Sequence, residues 1–431
     1  MPSGLRFLIA AKRCEITELQ QLARTSVLVN AVGRLIHGLQ RERGLTNLHL
    51  ASGDGQWAPA LAQQIEDNAA LQAAVVACFE AMDIPTSRLN HGARLFSRIA
   101  YALQGLDALP ALRNRLRSEA WSAERATAAY VRLVGGLLAV VFEAADAASD
   151  PGISRRLVAL FNFMQGKELT GQERATGAAL FAAGQADAAA QQRLLRLIDS
   201  QERCLQVFQE FASPALYQAW LLTQRPEQQA PLERMRRVLC TAADGAPLDR
   251  QLSLAWFDAN TVVIDAMKSI EDKLAVELLT LCESRIEASA AELAEFEALT
   301  GERALRPQAD ADLSFFEPSP SDPGPEHQTQ TLAPVSSSGF GLQVDRSILE
   351  LVQAQSQRLQ AMGHELDTVR ASLNERKLIE RAKGLLMAHR HLSEEEAHKS
   401  MRQMAMNQNR RLIEVAEALL AMAEVLPAPQ R

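Results

Sequence analysis

LNERKLIERAKGLLMAHRHLSEEEAHKSMRQMAMNQNRRLIEVAEALLAM, residues 373–422, carries its apolar side chains in three runs at helical spacing. The first run is Ile379, Ala382 and Leu386. The second is Ala397, Met401, Met404 and Ala405, and the third Leu412, Ile413, Ala416, Leu419, Leu420 and Ala423. Ser393 followed by Glu396 is a capping-box start for the second helix, and Asn409 an N-cap for the third. Helices this short do not stand alone in water, so the pattern predicts a small three-helix bundle. Its charges carry more information than its core. Arg410 and Arg411 fall in the first turn of the third helix, where a cation costs roughly 0.3–1 kcal/mol and a phosphate would be stabilised. Arg376, Lys383 and Arg390 recur every seven residues beside the first apolar stripe, and Lys399 and Arg402 are i, i+3 neighbours. Such a cluster suits a polyanion. Glu375, Glu380 and Glu394 to Glu396 intersperse it as on an ordinary solvated face, so charge by itself leaves both readings open.

The string narrows them. Arg376, Ile379, Ala382-Lys383-Gly384, Met387, Leu392-Ser393, Glu396-Ala397, Arg402, Ala405-Met406 and Val415-Ala416 together resemble the ANTAR domain. That is a three-helix RNA-binding module of bacterial antitermination regulators. The family often has an aromatic where His398 stands and Leu where Met401 stands. A histidine still offers a ring for base stacking. The resemblance implies contacts to an RNA stem-loop by Lys383, Arg402 and Arg411, with Arg376 and Arg410 as supporting phosphate contacts.

The rest of the chain is acidic. Residues 346–431 hold 13 Lys/Arg against 11 Asp/Glu, a net of +2, which leaves −9 for the remainder of a chain of net charge −7. The remainder is therefore not the nucleic-acid surface. At 431 residues, 47% hydrophobic but 5% aromatic and rich in Ala and Leu, the chain has the composition of an all-α protein of two or three domains. Cys14, Cys78, Cys204, Cys240 and Cys282 are scattered and odd in number, which reads as reduced core thiols in a cytoplasmic protein. The longest uncharged apolar run, Leu133 to Phe142, is ten residues and too short to span a bilayer. Phe7 to Ala10 ahead of Lys12-Arg13 is not a signal peptide. No glycine-rich phosphate loop, metal-ligand spacing or nucleophile elbow is present, and the histidines are dispersed. The reading is of a protein that is not an enzyme and has no cofactor or metal.

Residues 1–305 read as eight to ten long helices in antiparallel bundles. Breaks are expected at Gly53-Asp54-Gly55, Ile84-Pro85, Leu109-Pro110, Asp150-Pro151-Gly152, Gly184, Ser213-Pro214, Gln224 to Pro231 and Gly245 to Pro247. Residues 306–344 hold six prolines and a Ser336-Ser337-Ser338-Gly339 run, the composition of a flexible linker. Ile348, Val352, Leu359, Met362, Leu366, Val369 and Leu373 then occupy a and d positions of heptads, so residues 345–373 read as a coiled-coil helix suited to a homodimer. Residues 374–431 are the ANTAR-like module.

One echo runs through the first 305 residues. Glu42-Arg43-Gly44 and Glu173-Arg174-Ala175 are each followed, ten residues after the arginine, by Gly53 and Gly184 in LASG and FAAG. Two related bundles, each placing an arginine mid-helix, account for it. Arg234-Met235-Arg236-Arg237 begins a further amphipathic helix. Periodicity alone would pair such arginines with a Glu one turn away, and would put Trp256-Phe257 in the core. The blocks LQRERGLTNLHLASG (39–53), GKELTGQERATGAALFAAG (166–184), ERMRRVL (233–239) and AWFDANTVVIDAMKSIEDKL (255–274) resemble, in that order, the NIT domain, an all-helical nitrate- and nitrite-sensing module. The resemblance implies that Arg43 and an arginine of the 234–237 group, Arg236 ahead of Arg237, coordinate the anion, with Arg174 a further candidate.

Nitrate is planar and weakly hydrated, and a guanidinium offers it two parallel N–H donors. Facing arginines repel while the site is empty, so an anion should draw their helices together. The expected function is a nitrate- or nitrite-responsive antiterminator whose ligand frees the RNA module from the acidic sensor. The expected partners are nitrate or nitrite, leader-mRNA stem-loops and a second copy of the chain, with no membrane and no DNA. The alternative is a sensor signalling through protein contact of its C-terminal helices.

Overall fold

A computed structural model describes residues 4–52, 56–82, 92–118, 121–304, 340–390, 392, 394–408 and 410–423. The expected linker, the breaks at Gly53 to Gly55 and Ile84-Pro85, and the caps Ser393 and Asn409 lie outside these residues. The fold is all-α as expected. Its described helices are α1 (Gly4–Ser52), α2 (Ala58–Glu80), α3 (Gly92–Arg117), α4 (Ala123–Asp146), α5 (Pro151–Ala183) and α6 (Ala188–Phe211). They continue as α7 (Pro214–Thr223), α8 (Pro226–Thr241), α9 (Leu252–Ala304), α10 (Phe340–Arg390), α11 (Glu394–Gln408) and α12 (Leu412–Ala423).

Local chemistry sets the ends. Asp150 and Ser213 accept from the backbone N–H of Ile153 and Leu216, each ahead of a proline at the first helical turn. Gly184 closes α5 in the left-handed conformation, with φ 74°. Gly245, φ 75°, turns the chain between α8 and α9. The two turns are stitched together, Ala186 N–H donating to Ala246 O at 2.8 Å and Gly245 N–H to Ala186 O at 2.9 Å. One expected break is shorter than expected, α8 starting at Pro226 with Pro231 inside it, and one fails: Pro110 lies inside α3. Its ring faces solvent, and Leu106, whose carbonyl loses its helical partner, accepts instead from Gln72 Nε2 at 3.5 Å. The Arg234 cluster also sits well inside α8, which starts at Pro226.

Contacts divide the chain into two compact units. One holds the start of α1, the end of α9 and the first part of α10, up to residue 365. There buried Lys12 bonds Glu15 and Glu292, both at 2.6 Å, and Arg358 reaches Glu292 at 3.0 Å and Glu15 at 3.2 Å. Burial works against the charge on Glu292, but Lys12 and Arg358 outweigh it and hold its carboxyl below the usual range. The heptad stretch thus has an intramolecular partner through Arg358, while Leu359 stays exposed.

The other unit, Arg24–Leu281 with Leu366–Arg431, contains the sensor bundles and the C-terminal module. α1 to α4 form one bundle and α5, α6, α8 and α9 a second, α4 packing on α5. α4 is long and apolar enough to cross a membrane, yet Leu133, Val134, Leu137, Leu138, Val140 and Val141 are buried within the fold, and Glu143 and Asp146 are buried at its end. α10 runs without interruption into the C-terminal module, so the first helix of the expected bundle is the last part of a 51-residue helix. Its core is the expected one: Ala382 and Leu386, Ala397 and Met401, and Ala416, with Ile379, Met404, Leu412, Leu419 and Leu420 around them. No disulfide joins the five cysteines, all of them among the described residues; Cys204 and Cys282 are buried and Cys14 is exposed.

Candidate anion site and RNA-binding module

The repeated Glu-Arg pairs are the centres of their bundles. Glu42, fully buried, takes one side chain from each of the other three helices: Asn68 of α2 at 2.6 Å, Arg113 of α3 with two bonds of 2.8 Å, and Tyr130 of α4 at 2.8 Å. Burial and then the Glu42 charge push the Tyr130 hydroxyl up, so it stays a donor. Glu173, equally buried, takes Gln201 of α6 at 2.6 Å and Arg236 of α8 through Nε at 2.6 Å and Nη2 at 2.7 Å. In both bundles an amide from the second helix and a forked guanidinium from a later one hold the glutamate.

One residue along, about 100° around each helix, the arginines face elsewhere. Arg43 packs over Gly171 of α5, where an added methyl would stand 2.6 Å from its Nη2. Arg174 packs over Gly44 of α1, where an added methyl would stand 2.9 Å from its Nη2. Each arginine therefore lies in the space left by a glycine on the helix that bears the other. Arg43 is 1% exposed and is held by Glu168, Nη1 to Oε1 at 2.5 Å and Nη2 to Oε2 at 3.2 Å. Gln40 and Gln172 brace that carboxylate at 2.8 and 2.9 Å. The partner is not one turn away but on another helix, 125 residues along the chain.

Arg174 differs. It is 7% exposed, donates to Thr261 Oγ1 at 2.9 Å, and lies 4.4 Å over the ring of Phe257. It has no carboxylate partner among the described residues. Burial first and neighbouring Arg43 second pull its guanidinium down to about 10, opposed at a distance by exposed Asp265 and by the Glu168 that Arg43 holds, so it is charged at neutral pH with no carboxylate bonded to it. Nearby, His37 is held down to about 3 by burial and by Lys167, Lys268, Arg41 and Arg174, so it is neutral and adds nothing to the excess. Planar oxyanions are what two such forks accept.

The structure thus brings Arg43 and Arg174 together. Arg236 is engaged by Glu173, with Glu233 adding a bond of 2.6 Å; burial opposes its charge, but these two carboxylates raise its pKa above the ordinary value. Arg237 is exposed on the outer side of α8. A cavity of about 270 Å³ opens on the same α1–α5–α9 seam, lined by Asn30, Gly33, Met164, Lys268, Glu271 and Asp272. It lies about three helical turns along α1 from Gly44 and includes neither arginine; its lysine sits among carboxylates, so the charge deficit is at the arginine pair.

In the C-terminal module, Arg410 and Arg411 immediately precede α12 and are exposed, Arg411 accepting Val415 N–H at its start and pairing with Glu414 at 3.2 Å. Lys383 is mostly buried beside Glu380 at 2.8 Å. The Arg376 side chain lies outside the described residues. Arg402 of α11 does not face open solvent alone: it pairs with Asp199 of sensor helix α6 at 3.2 Å. Lys377 pairs with Asp146 at 2.5 Å, 5.9 Å over the Phe142 ring, and Arg370 donates to Ala148 O at 3.4 Å. His398 is held below its ordinary value by burial, then by Lys383, Arg203 of α6 and Arg402.

Comparison with known proteins finds two domain families in the chain. The nitrate and nitrite sensing domain matches residues 34–279, and the ANTAR domain residues 367–420. The chain belongs to the nitrate- and nitrite-sensing family. It is 35% identical over 419 residues to the nitrate regulatory protein of Klebsiella oxytoca, covering 97% of this chain and 95% of that one. It is 31% identical to the solved NasR transcription antiterminator, with a TM-score of 0.60 over 99% of this chain and 100% of that one.

Within the family frame, several residues of the site escaped the sequence reading. Phe257, expected in the core beside Trp256, instead stacks on Arg174, while Trp256 is the core residue and donates Nε1 to Arg174 O at 3.0 Å. Phe257 and Thr261 are i, i+4, a shared face that was there to be noticed. Glu168 and Gln172 show the same spacing on α5, and Gly44 and Gly171 sit one and three residues from the arginines. Nothing in a single sequence links Glu168 to Arg43.

Proposed function

We propose that this chain is a nitrate- or nitrite-responsive transcription antiterminator that binds structured leader RNA through its ANTAR domain. The observation that carries the sensing half is Arg174: buried, charged, opposite Arg43, and without a carboxylate of its own among the described residues. A monoanion between the two guanidinium groups supplies the missing counter-charge and draws α1 and α5 together. Arg236 and Arg237 join only if α8 moves, since Arg236 is already saturated by Glu173 and Glu233.

Coupling to RNA follows from what α5 joins. It carries Glu168, Gly171 and Arg174, and it begins at the α4–α5 corner on which Arg370 and Lys377 rest. Arg402, an expected RNA contact, is occupied by Asp199. In this reading the resting sensor holds the module by acidic groups that RNA phosphates would replace, and anion binding at the α1–α5 contact releases it. A coupling of about 1–3 kcal/mol suffices.

The test is titration of full-length protein with a two-hairpin leader RNA, with and without millimolar nitrate, against chloride. Tighter binding with nitrate alone supports the reading, and equal binding in both discards nitrate as the switch. Asp199→Lys alters the seat and none of the RNA contacts; it should bind RNA without nitrate. RNA affinity should fall steeply with salt, with a log–log slope of roughly −0.7 to −0.9 per phosphate contact. A flat salt response would favour signalling by protein contact.

A further inference from the structure

The arginine pair is not simply two positive charges. Glu168 is 2% exposed, bound by two nitrogens of Arg43 and braced by Gln40 and Gln172. The buried charges around this trio cancel in pairs: Lys167 with Glu271, Arg113 with Glu42, Arg236 with Glu173. Lys268 lies among Glu271 and Asp272, His37 is neutral, and Asp265, whose charge also acts on Arg174, is exposed and screened by water rather than part of the buried cluster. Arg43, Arg174 and Glu168 together therefore leave a formal excess of one positive charge.

Guanidinium forks bind phosphate-like dianions as readily as planar monoanions, so hydrogen-bond geometry alone does not refuse sulfate. In a buried site, net charge does. A monoanion takes the cluster to neutrality, whereas a dianion leaves an uncompensated negative charge beside the Glu168 carboxylate. We propose that Glu168 is the charge filter of the anion site: by holding the arginine pair at a single net positive charge, it makes the site accept a monovalent oxyanion and reject a divalent one. Glu168 is a positioning and specificity residue here, acting on the ligand through charge while orienting Arg43. The proposal rests on the reading of Arg43 and Arg174 as the anion site.

The experiment is calorimetric titration of the full-length protein with sodium nitrate and with sodium sulfate at constant ionic strength. The native protein should bind nitrate in preference to sulfate. In Glu168→Gln the nitrate-to-sulfate preference should shift toward sulfate at least tenfold, and in Glu168→Asp, which keeps the charge, it should be retained. Gln172→Lys tests the same idea with the carboxylate in place: half-exposed, it adds one positive charge beside Glu168 and should shift the preference in the same direction, threefold or more. Gln172→Lys also carries the test if Glu168→Gln does not fold.

Arg174→Gln, titrated in parallel, separates the filter from the site. Loss of nitrate binding in Arg174→Gln together with an unchanged preference in Glu168→Gln and Gln172→Lys overturns the filter alone. Nitrate binding that survives Arg174→Gln, or that is absent from the native protein, overturns both.

Discussion

The two sensor bundles repeat one device and tune it differently. In the first, Glu42 is sealed by four bonds from three helices, and the adjacent Arg43 has a carboxylate of its own. In the second, Glu173 is clamped by an Arg236 that remains 18% exposed, and the adjacent Arg174 has a hydroxyl and an aromatic face in place of a carboxylate. The first bundle is a frame in which each buried charge among the described residues is answered. The second is a frame with one charge left over. In the proposed reading an anion acts on this difference, because binding energy is gained where the resting protein is short of a partner.

The largest effects should come from breaking the twin glutamates. Glu42→Gln leaves Arg113 buried opposite an amide, and a broken buried pair typically costs about 3–5 kcal/mol. Glu173→Gln should cost clearly less, since Arg236 reaches water and keeps Glu233. Urea unfolding of the two variants checks the order; equal losses would mean the bundles are not differently sealed.

The arginines themselves should respond with opposite signs. Arg43→Gln strands Glu168 and should destabilise the resting protein by a comparable few kcal/mol. Arg174→Gln removes an unanswered buried charge, so the resting protein should melt no lower than the native one while losing its nitrate-dependent rise in Tm. Thermal melts with nitrate and with chloride read both. A resting Arg174→Gln protein that is strongly destabilised would show that Arg174 is answered after all.

These contrasts mark where the sequence was legible. The helices, their caps at Asp150 and Ser213, and the left-handed Gly184 are local, decided by residues within a turn of each other, and so is the Glu-Arg echo. Pro110 misled because its consequence depends on a distant donor, Gln72, and on which side of α3 faces water. α10 runs on through the expected start of the ANTAR-like module because nothing between residues 364 and 383 breaks a helix. Arg43–Glu168, Arg236–Glu173 and Arg402–Asp199 join positions 125, 63 and 203 residues apart, and periodicity carries no record of such pairings.

Acid should weaken the seam between the bundles through His37. Its folded pKa, about 3, lies below the unfolded value of 6.5, so below pH 6.5 the unfolded chain takes a proton that the folded one refuses. Stability is therefore lost as pH falls from about 6.5 toward 3, at up to about 1.4 kcal/mol per pH unit. His37→Gln should flatten that limb in urea melts taken between pH 7 and 4. An unchanged slope would place the acid sensitivity elsewhere.

The smallest effects are the most local. Gly171→Ala and Gly44→Ala each gain helix propensity of roughly 1 kcal/mol and each press a methyl on a guanidinium, at 2.6 Å on Arg43 and 2.9 Å on Arg174. Arg43 is fixed by Glu168 and has little room to yield, whereas Arg174, on a single hydroxyl and a ring, can swing. Gly171→Ala should therefore lower the melting temperature slightly, and Gly44→Ala should leave it unchanged or raise it. Nitrate affinity should show the reverse weighting. Gly44→Ala displaces the charge to which the proposal assigns the anion, so it should weaken binding several-fold, while Gly171→Ala shifts a guanidinium already committed to Glu168. Equal losses of affinity would place the anion symmetrically between the two arginines and make Glu168 a partner of both.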